Sequence, residues 1–382
     1  MKVRKLERKL AGPARAIAAT AAALGTIAIG AAFLPAGANA NDPAATSASV
    51  ARSRAPKCEE GNGGITIPTG FCATIFADKL GAARHPVVLP NGDVYIAMQP
   101  RRTGASATAG VSVLRDTDGD GKADKIEYFG PYGGGGIALK GNFLYLDARS
   151  AILRYTLTKG VMVPTGAPDT IVSGLPATGN HFSREIALDG KGNMFVNVGS
   201  STNVCQPGSD LSSKGADPCV ELETRAGVWK FSDSQIGQKF TPAARYVTGL
   251  RNAVGLAWNP KDNSLYSTQH GRDSFVQAFP ALYDQKKSAE NPAEEFMKLQ
   301  PGDDFGWPYC YYDNDLKRLV LAPEYGGDAK MPGRCATKKL PVAAFPGHWA
   351  PNALEFYSGT QFPVKYRDGA FIAFHGSWNR AP

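Results

Sequence analysis

One unit recurs along this chain and limits what it can fold into: an apolar strand, a turn built from Gly, Asn or Asp, and a second apolar strand. It is read in "PVVLPNGDVYIAM" (86–98), "GIALKGNFLYLD" (136–147), "EIALDGKGNMFVNV" (185–198), "GLAWNPKDNSLYST" (255–268) and, more loosely, "ALEFYSGTQFPVKYRDGAFIAF" (353–374). Each is expected to form a β-hairpin with the turn chemistry at its centre. The hairpins return at intervals that start near about fifty residues and lengthen, as propeller blades do when loops on one face are elaborated. The chain therefore reads as all-β, a β-propeller with about five blades in view. A β-sandwich is the competing all-β reading, but it does not call for the same hairpin so many times.

Composition agrees, with 43 Gly, 27 Pro and few segments of helical apolar period. Residues 1–40 read as an export signal: the basic "MKVRKLERKLAGPAR", an Ala/Ile-rich apolar stretch and the small-residue site "ANA". A retained anchor is the alternative, because that stretch approaches spanning length. Cleavage after Ala40 would leave a periplasmic or secreted chain without stable membrane insertion. Residues 41–57 are expected to be a disordered leader and 58–382 the propeller domain. The net charge of +8 comes partly from the signal, and no Lys/Arg run follows it, so a nucleic-acid partner is not expected. Six cysteines fall as neighbours in sequence, Cys58 with Cys72, Cys205 with Cys219 and Cys310 with Cys335, and suit loop-stapling disulfides in an oxidising compartment.

Strands converging on a channel deliver the residues at their ends to one shared face. That is where the chemistry-bearing residues sit. In "GLRNAVGLAWNPKDNSLYSTQHGRD" (249–273) a hairpin is bracketed by Arg251-Asn252 and by His270-Gly271-Arg272-Asp273. The chain has five histidines, His85, His181, His270, His348 and His375, and all except His85 flank a hairpin in this way. A lone histidine is ordinarily a hydrogen-bonded structural residue, but four at comparable places suggest a shared site. A neutral His181 can take a proton from a substrate hydroxyl. Arg251 and Asn252 suit a carboxylated or quinoid ligand, and a blade-to-blade salt bridge explains Arg251 as well. "DTDGDGKAD" (116–124) resembles the start of a calcium loop, with a solvated acidic turn as the alternative. The aromatics of "PGDDFGWPYCYYD" (301–313) fit either ligand stacking or burial under a blade.

Taken together, "GLRNAVGLAWNP…LYSTQHGRD", "GDDFGWPYCYYD", "APNALEFYSG" and "FIAFHGSWNR" resemble the glucose/sorbosone dehydrogenase family, soluble quinoproteins that oxidise sugars, most of all its sorbosone-type branch. The resemblance runs from about Gly70 onward and implies a six-bladed propeller that holds pyrroloquinoline quinone (PQQ) and a calcium ion. It implies His181 as general base, Arg251 as the cation that polarises a quinone carbonyl, and Asn252 as its cofactor-binding neighbour. His270, His348 and Arg380 complete the expected cofactor contacts, and the backbone carbonyls of Gly271 and Arg272 would hold the calcium. An external electron acceptor would then reoxidise the cofactor. Glucose-oxidising members differ in having an acidic residue at Ser200, glutamine at His270, threonine at His348 and a substrate-binding glutamine near "GGGG" (133–136). A sorbosone-like sugar or sugar aldehyde is therefore expected rather than glucose. Members continue beyond the present end with another blade, so the chain reads as C-terminally truncated. Two further readings are a calcium-dependent propeller lactonase, which would want channel carboxylates on its metal, and a non-catalytic binding propeller.

Overall fold

The computed structural model describes residues 57–99, 110–131, 133–377 and 380. The expected signal peptide and all of the leader but Lys57 lie outside the described residues. Each of the five hairpins forms. They are β1 (Ala83–Val88) with β2 (Val94–Met98), β5 (Ile137–Lys140) with β6 (Phe143–Asp147), β9 (Ile186–Leu188) with β10 (Asn193–Val198), β14 (Gly255–Asn259) with β15 (Ser264–Gln269), and β20 (Pro351–Phe356) with β21 (Ala370–Phe374). The turns use the chemistry read from the sequence. In the third hairpin, for instance, Asp189 Oδ1 accepts from the backbone N–H groups of Lys191 (2.7 Å) and Asn193 (3.0 Å).

The first four hairpins are extended outward by antiparallel strands. β3 (Val111–Arg115) and β4 (Lys125–Phe129) complete the first sheet, and β7 (Ala151–Thr156) and β8 (Asp169–Ser173) the second. β11 (Gly227–Ser232) and β13 (Arg245–Thr248) complete the third, while the short β12 (Gln238–Lys239) crosses to pair in parallel with β8. β16 (Glu294–Leu299) and β19 (Ala343–Phe345) complete the fourth, with a separate hairpin of β17 (Cys310–Asp313) and β18 (Arg318–Leu321) inserted between them. The fifth sheet comprises β20 and β21.

The core lies between sheets. Tyr95, Val111 and Val113 pack against Ile137, Leu144 and Leu146; Ile152 and Ile171 against Met194, Val196 and Trp229; Phe195, Val228 and Val247 against Leu265, Met297 and Leu299. A sheet covered on both faces needs strands that are apolar throughout, which is how Leu144–Leu146 and Met194–Val196 read. Neighbouring innermost strands touch in the order β1, β5, β9, β14, β20, and all five line one channel of about 760 Å³. This is an all-β ring of sheets resembling a propeller. The three cysteine pairs expected from the sequence are all bonded.

His85 on β1 ties the first sheet to the fifth. Its Nε2 donates to the Asn352 carbonyl on β20 (2.8 Å), and its Nδ1 faces Glu185 Oε1 (2.6 Å) and the Gly135 carbonyl (3.2 Å). Burial alone would lower the imidazole pKa, but the Glu185 carboxylate and the two carbonyls outweigh it and raise it to about 9. A raised histidine pKa contributes stability that is complete below the unfolded value of about 6.5 and is lost as pH rises through about 9. The denaturation midpoint of the wild type should therefore fall between pH 7 and 10. His85→Leu should cost about 3–5 kcal/mol at pH 7, as removal of one partner from a buried pair does, and should flatten that pH dependence. Urea titrations of both proteins check this, and a variant as stable as the wild type would contradict it.

Candidate functional site

A pocket of about 260 Å³ opens where the strand ends of the third, fourth and fifth sheets meet. His181, Arg251, Asn252, His270, Gly271 and His348 line it, together with Asp273, Glu294, Asn352 and His375. Six of the eight residues singled out from the sequence thus come together. Arg272 and Arg380 do not line this pocket. The Arg272 guanidinium is buried on Glu324 and lies 4.3 Å over the Phe275 ring. Arg380 donates to the carbonyls of Ala289 (2.8 Å) and Gly347 (3.0 Å) and pairs with Glu290. Both side chains clamp loops.

His181 precedes β9 and packs against the end of β10. A Cβ on Gly199 would lie 2.6 Å from the His181 Cβ, so only glycine lets the ring approach. Its Nδ1 lies 2.9 Å from Ser200 Oγ and 3.0 Å from the Ser200 carbonyl. The Ser200 hydroxyl spends its one proton on the Thr202 carbonyl (2.7 Å), so toward the imidazole both groups can only accept. Nδ1 must then carry the ring proton, and the lone pair is on Nε2. Burial, the Arg251 charge and His270 hold the His181 pKa well below the ordinary value, so the ring is neutral at neutral pH.

Arg251 leads into β14 and is almost wholly buried. Its Nε donates to the Asn203 carbonyl (3.1 Å), Nη1 to the Gly271 carbonyl (2.7 Å), and Nη2 to Asn203 Oδ1 (2.9 Å) and Asp273 Oδ2 (2.9 Å). Four N–H groups are used, and one on Nη1 is left over from the guanidinium's five. The arginine is both a salt bridge between loops and a pocket residue. Beside it, the Asn252 amide reaches His270 Nδ1 (3.3 Å), and the His270 N–H donates to the Asn252 carbonyl (3.0 Å). Asn252 Oδ1 and His270 Nε2 are left buried without a partner among the described residues. Such atoms are costly unless something else satisfies them. Burial and Arg251 lower the His270 pKa to about 4, so this ring is neutral too. His348 donates through Nε2 to the Ser288 carbonyl (2.9 Å), with Nδ1 3.7 Å from Asp273 Oδ1.

Glu294 and Asn352 are pocket residues that sequence reasoning missed, and Glu294 is the charged one. It sits on β16 with Oε2 accepting from the Gly271 N–H (3.1 Å), and burial raises its pKa to about 7. The available signal was a pair of glutamates, Glu294-Glu295, opening a strand whose remaining residues are apolar except Lys298. With Gly271 O and Asp273 it gathers oxygen atoms of the kind that hold a hard cation. The acidic loop is elsewhere: Asp116, Asp118 and Asp120 cluster closely enough for a metal. The Asp116 oxygens accept from the N–H groups of Gly119 (2.7 Å) and Gly121 (2.8 Å), as a solvated turn would have them. Trp307 is buried, its Nε1 on the Asn203 carbonyl (2.9 Å), which fixes that loop behind Arg251.

The pocket's polar atoms suit a planar, oxygen-rich ligand. Among the described residues, an unpartnered acceptor, an unpartnered ring nitrogen and a spare guanidinium N–H line one cavity with the neutral imidazole of His181. Comparisons with known proteins accord with this. An aldose sugar dehydrogenase of Escherichia coli is 25% identical over 187 residues, 49% of this chain and 43% of that one. A pyrroloquinoline quinone-dependent pyranose dehydrogenase of Coprinopsis cinerea is 28% identical over 225 residues, 53% of this chain and 28% of that one. The chain thus spans less than half the length of both. A solved structure of a Trichoderma reesei protein of carbohydrate-active enzyme family AA12 superposes with a TM-score of 0.64 at 18% identity, covering 80% of this chain and 76% of that chain. A family model matches residues 65–382, and by it the chain belongs to the TrAA12-like family.

Proposed function

We propose that this protein is a PQQ-dependent dehydrogenase that oxidises a sugar or sugar aldehyde, sorbosone-like in class, with His181 as the base. The observation that carries the reading is the tautomer of His181: its proton is fixed on Nδ1 by two acceptors of Ser200, leaving a neutral Nε2 lone pair in a pocket shared with Arg251, Asn252 and His270. PQQ, when bound, supplies an ortho-quinone that accepts two electrons as hydride from a carbinol carbon. Among the chain's own residues, Arg251 would direct its spare Nη1 hydrogen at a ligand carbonyl, and Asn252 Oδ1 and His270 Nε2 would find their missing partners. His348, also on the pocket wall, would add a polar contact.

His181 would remove the hydroxyl proton of the substrate as the C–H bond breaks. Its low pKa keeps the accepting nitrogen free over the neutral range, and Ser200 holds the ring in place. Calcium would be held by the Gly271 carbonyl on the pocket wall and by the carbonyl of the next residue, Arg272, whose side chain is turned to Glu324, with the carboxyl groups of Glu294 and Asp273 beside it. A carbonyl has two lone pairs, so Gly271 can serve the ion while retaining Arg251. An external acceptor would take the electrons onward. Glu294 and Asp273 are carboxylates of the kind a lactonase would want, but the histidines, amide and guanidinium that share the pocket favour a quinone ligand, and a binding role alone leaves the fixed tautomer of His181 without a purpose.

Two results are expected. His181→Ala should lower kcat by ~10²–10⁴-fold, the usual cost of losing a general base, while titration of the quinone absorbance with calcium present stays nearly unchanged. Near-full turnover in that variant would remove His181 from the reaction. Activity of the wild type should be flat through neutral pH and fall only as pH drops through the depressed His181 pKa. Ser200→Asp places a negative charge at Nδ1–H, which favours the imidazolium, so the acid limb of kcat/KM should move to higher pH. An unmoved limb would show that another group sets it.

A further inference from the structure

The glycine run at 133–136 closes onto the end of β6. A Cβ on Gly133 would lie 1.9 Å from the Asp147 carbonyl oxygen, and one on Gly134 would lie 1.9 Å from Asp147 Oδ2 and 3.0 Å from the Phe182 carbonyl oxygen. The run therefore abuts the segment 181–183 that carries the base, yet offers it no side chain. Polar groups reach that segment from neighbouring loops instead. Buried Gln99 donates through Nε2 to the Gly134 carbonyl (3.0 Å) and to Ser183 Oγ (3.1 Å), and its Oε1 accepts from exposed Arg84 Nε (2.5 Å). Arg149, in the turn between β6 and β7, lies with its guanidinium carbon 4.8 Å over the Phe182 ring.

Among the described residues Arg149 has no ion-pair partner: its Nε is buried without an acceptor, and no carboxylate lies within ion-pair distance of its guanidinium. Asp147, the buried carboxylate of the same turn, spends Oδ1 on the Arg149 backbone N–H (2.8 Å) and on Arg184 (3.6 Å); its Oδ2 is buried without a hydrogen-bond partner among the described residues and stays beyond ion-pair distance of the Arg149 guanidinium. Arg84 is bonded to an amide rather than to an acid. A partly desolvated guanidinium with an unmade hydrogen bond is unfavourable by itself. Its planar fork matches the two oxygens of a carboxylate. The residue it covers, Phe182, follows the base directly, about 3.8 Å away along the backbone.

We propose that the substrate is a sugar acid, whose carboxylate is received by Arg149 while Arg84 adds positive charge on the same side. This rests on the dehydrogenase reading for the location of the base, but recognition of the carboxylate does not require turnover. Calorimetric titration of the full chain, with and without PQQ and calcium, would use D-glucuronate and its neutral methyl ester, which share one ring and differ in charge. Glucuronate should bind ~10–100-fold more tightly, the range expected for a charge-assisted hydrogen-bonded pair. Arg149→Met should bring that ratio close to one, with Arg149→Lys in between. Equal affinity of acid and ester for the wild type overturns the proposal, as does a ratio unaffected by Arg149→Met in a protein with an unchanged melting curve. If PQQ fails to bind while the preference for the acid persists, the dehydrogenase reading fails and this one stands.

Discussion

The contact on which the rest depends is the one between neighbouring sheets. Each sheet buries its faces against the next, and the innermost strands β1, β5, β9, β14 and β20 are thereby brought side by side around one channel. Residues that terminate those strands have no freedom to be anywhere but at its end. His181 ahead of β9, Arg251-Asn252 ahead of β14, His270 after β15 and Asn352 on β20 are remote in sequence and adjacent in space for that reason alone. The site is a consequence of the packing, and loops of unequal length can be added without disturbing it.

Apolar packing does not orient polar groups, and a second layer of hydrogen bonds does that. Ser200 fixes the ring of His181, and Asn203, held in turn by Trp307, fixes Arg251 from behind. Because most of the Arg251 donors are spent on the protein, its position is rigid and a ligand meets a single spare N–H rather than a fork. Low local dielectric and the Arg251 charge also keep His181 and His270 neutral. Burial, reinforced by one cation, thus sets the protonation of two neighbouring histidines.

The hairpins were legible because each pairs continuous apolar runs with a Gly, Asn or Asp turn, and all five formed where that pattern stood. The outer strands were less legible. β13 and β19 are short and carry Arg245 and Ala343 in place of a periodic signal, so they are defined by the strands they pair with. In the site, the gathering of four histidines with Arg251 and Asn252 could be read from their places beside hairpins. Adjacency to a motif does not tell where a side chain points: those of Arg272 and Arg380 turn toward Glu324 and Glu290. His85 was set apart from the others, although its bond to Asn352, 267 residues on, joins the first sheet to the fifth. Contacts of that separation leave no local trace in a sequence. Nor could Arg149 be singled out, since its unpaired state is visible only once the turn lies over Phe182.

Whether His181 can act as a base depends on which of its nitrogens carries the proton. Nitrogen-15 chemical shifts of histidine-labelled protein, assigned by loss of signal in His181→Ala, report this directly across a pH series. The expected result is a protonated Nδ1 and a pyridine-like Nε2 that persists below pH ~6.5, the ordinary histidine value, and an Nε2 shift that moves when PQQ and calcium are added. A protonated Nε2 at neutral pH, or an Nε2 signal indifferent to the cofactor, would contradict it.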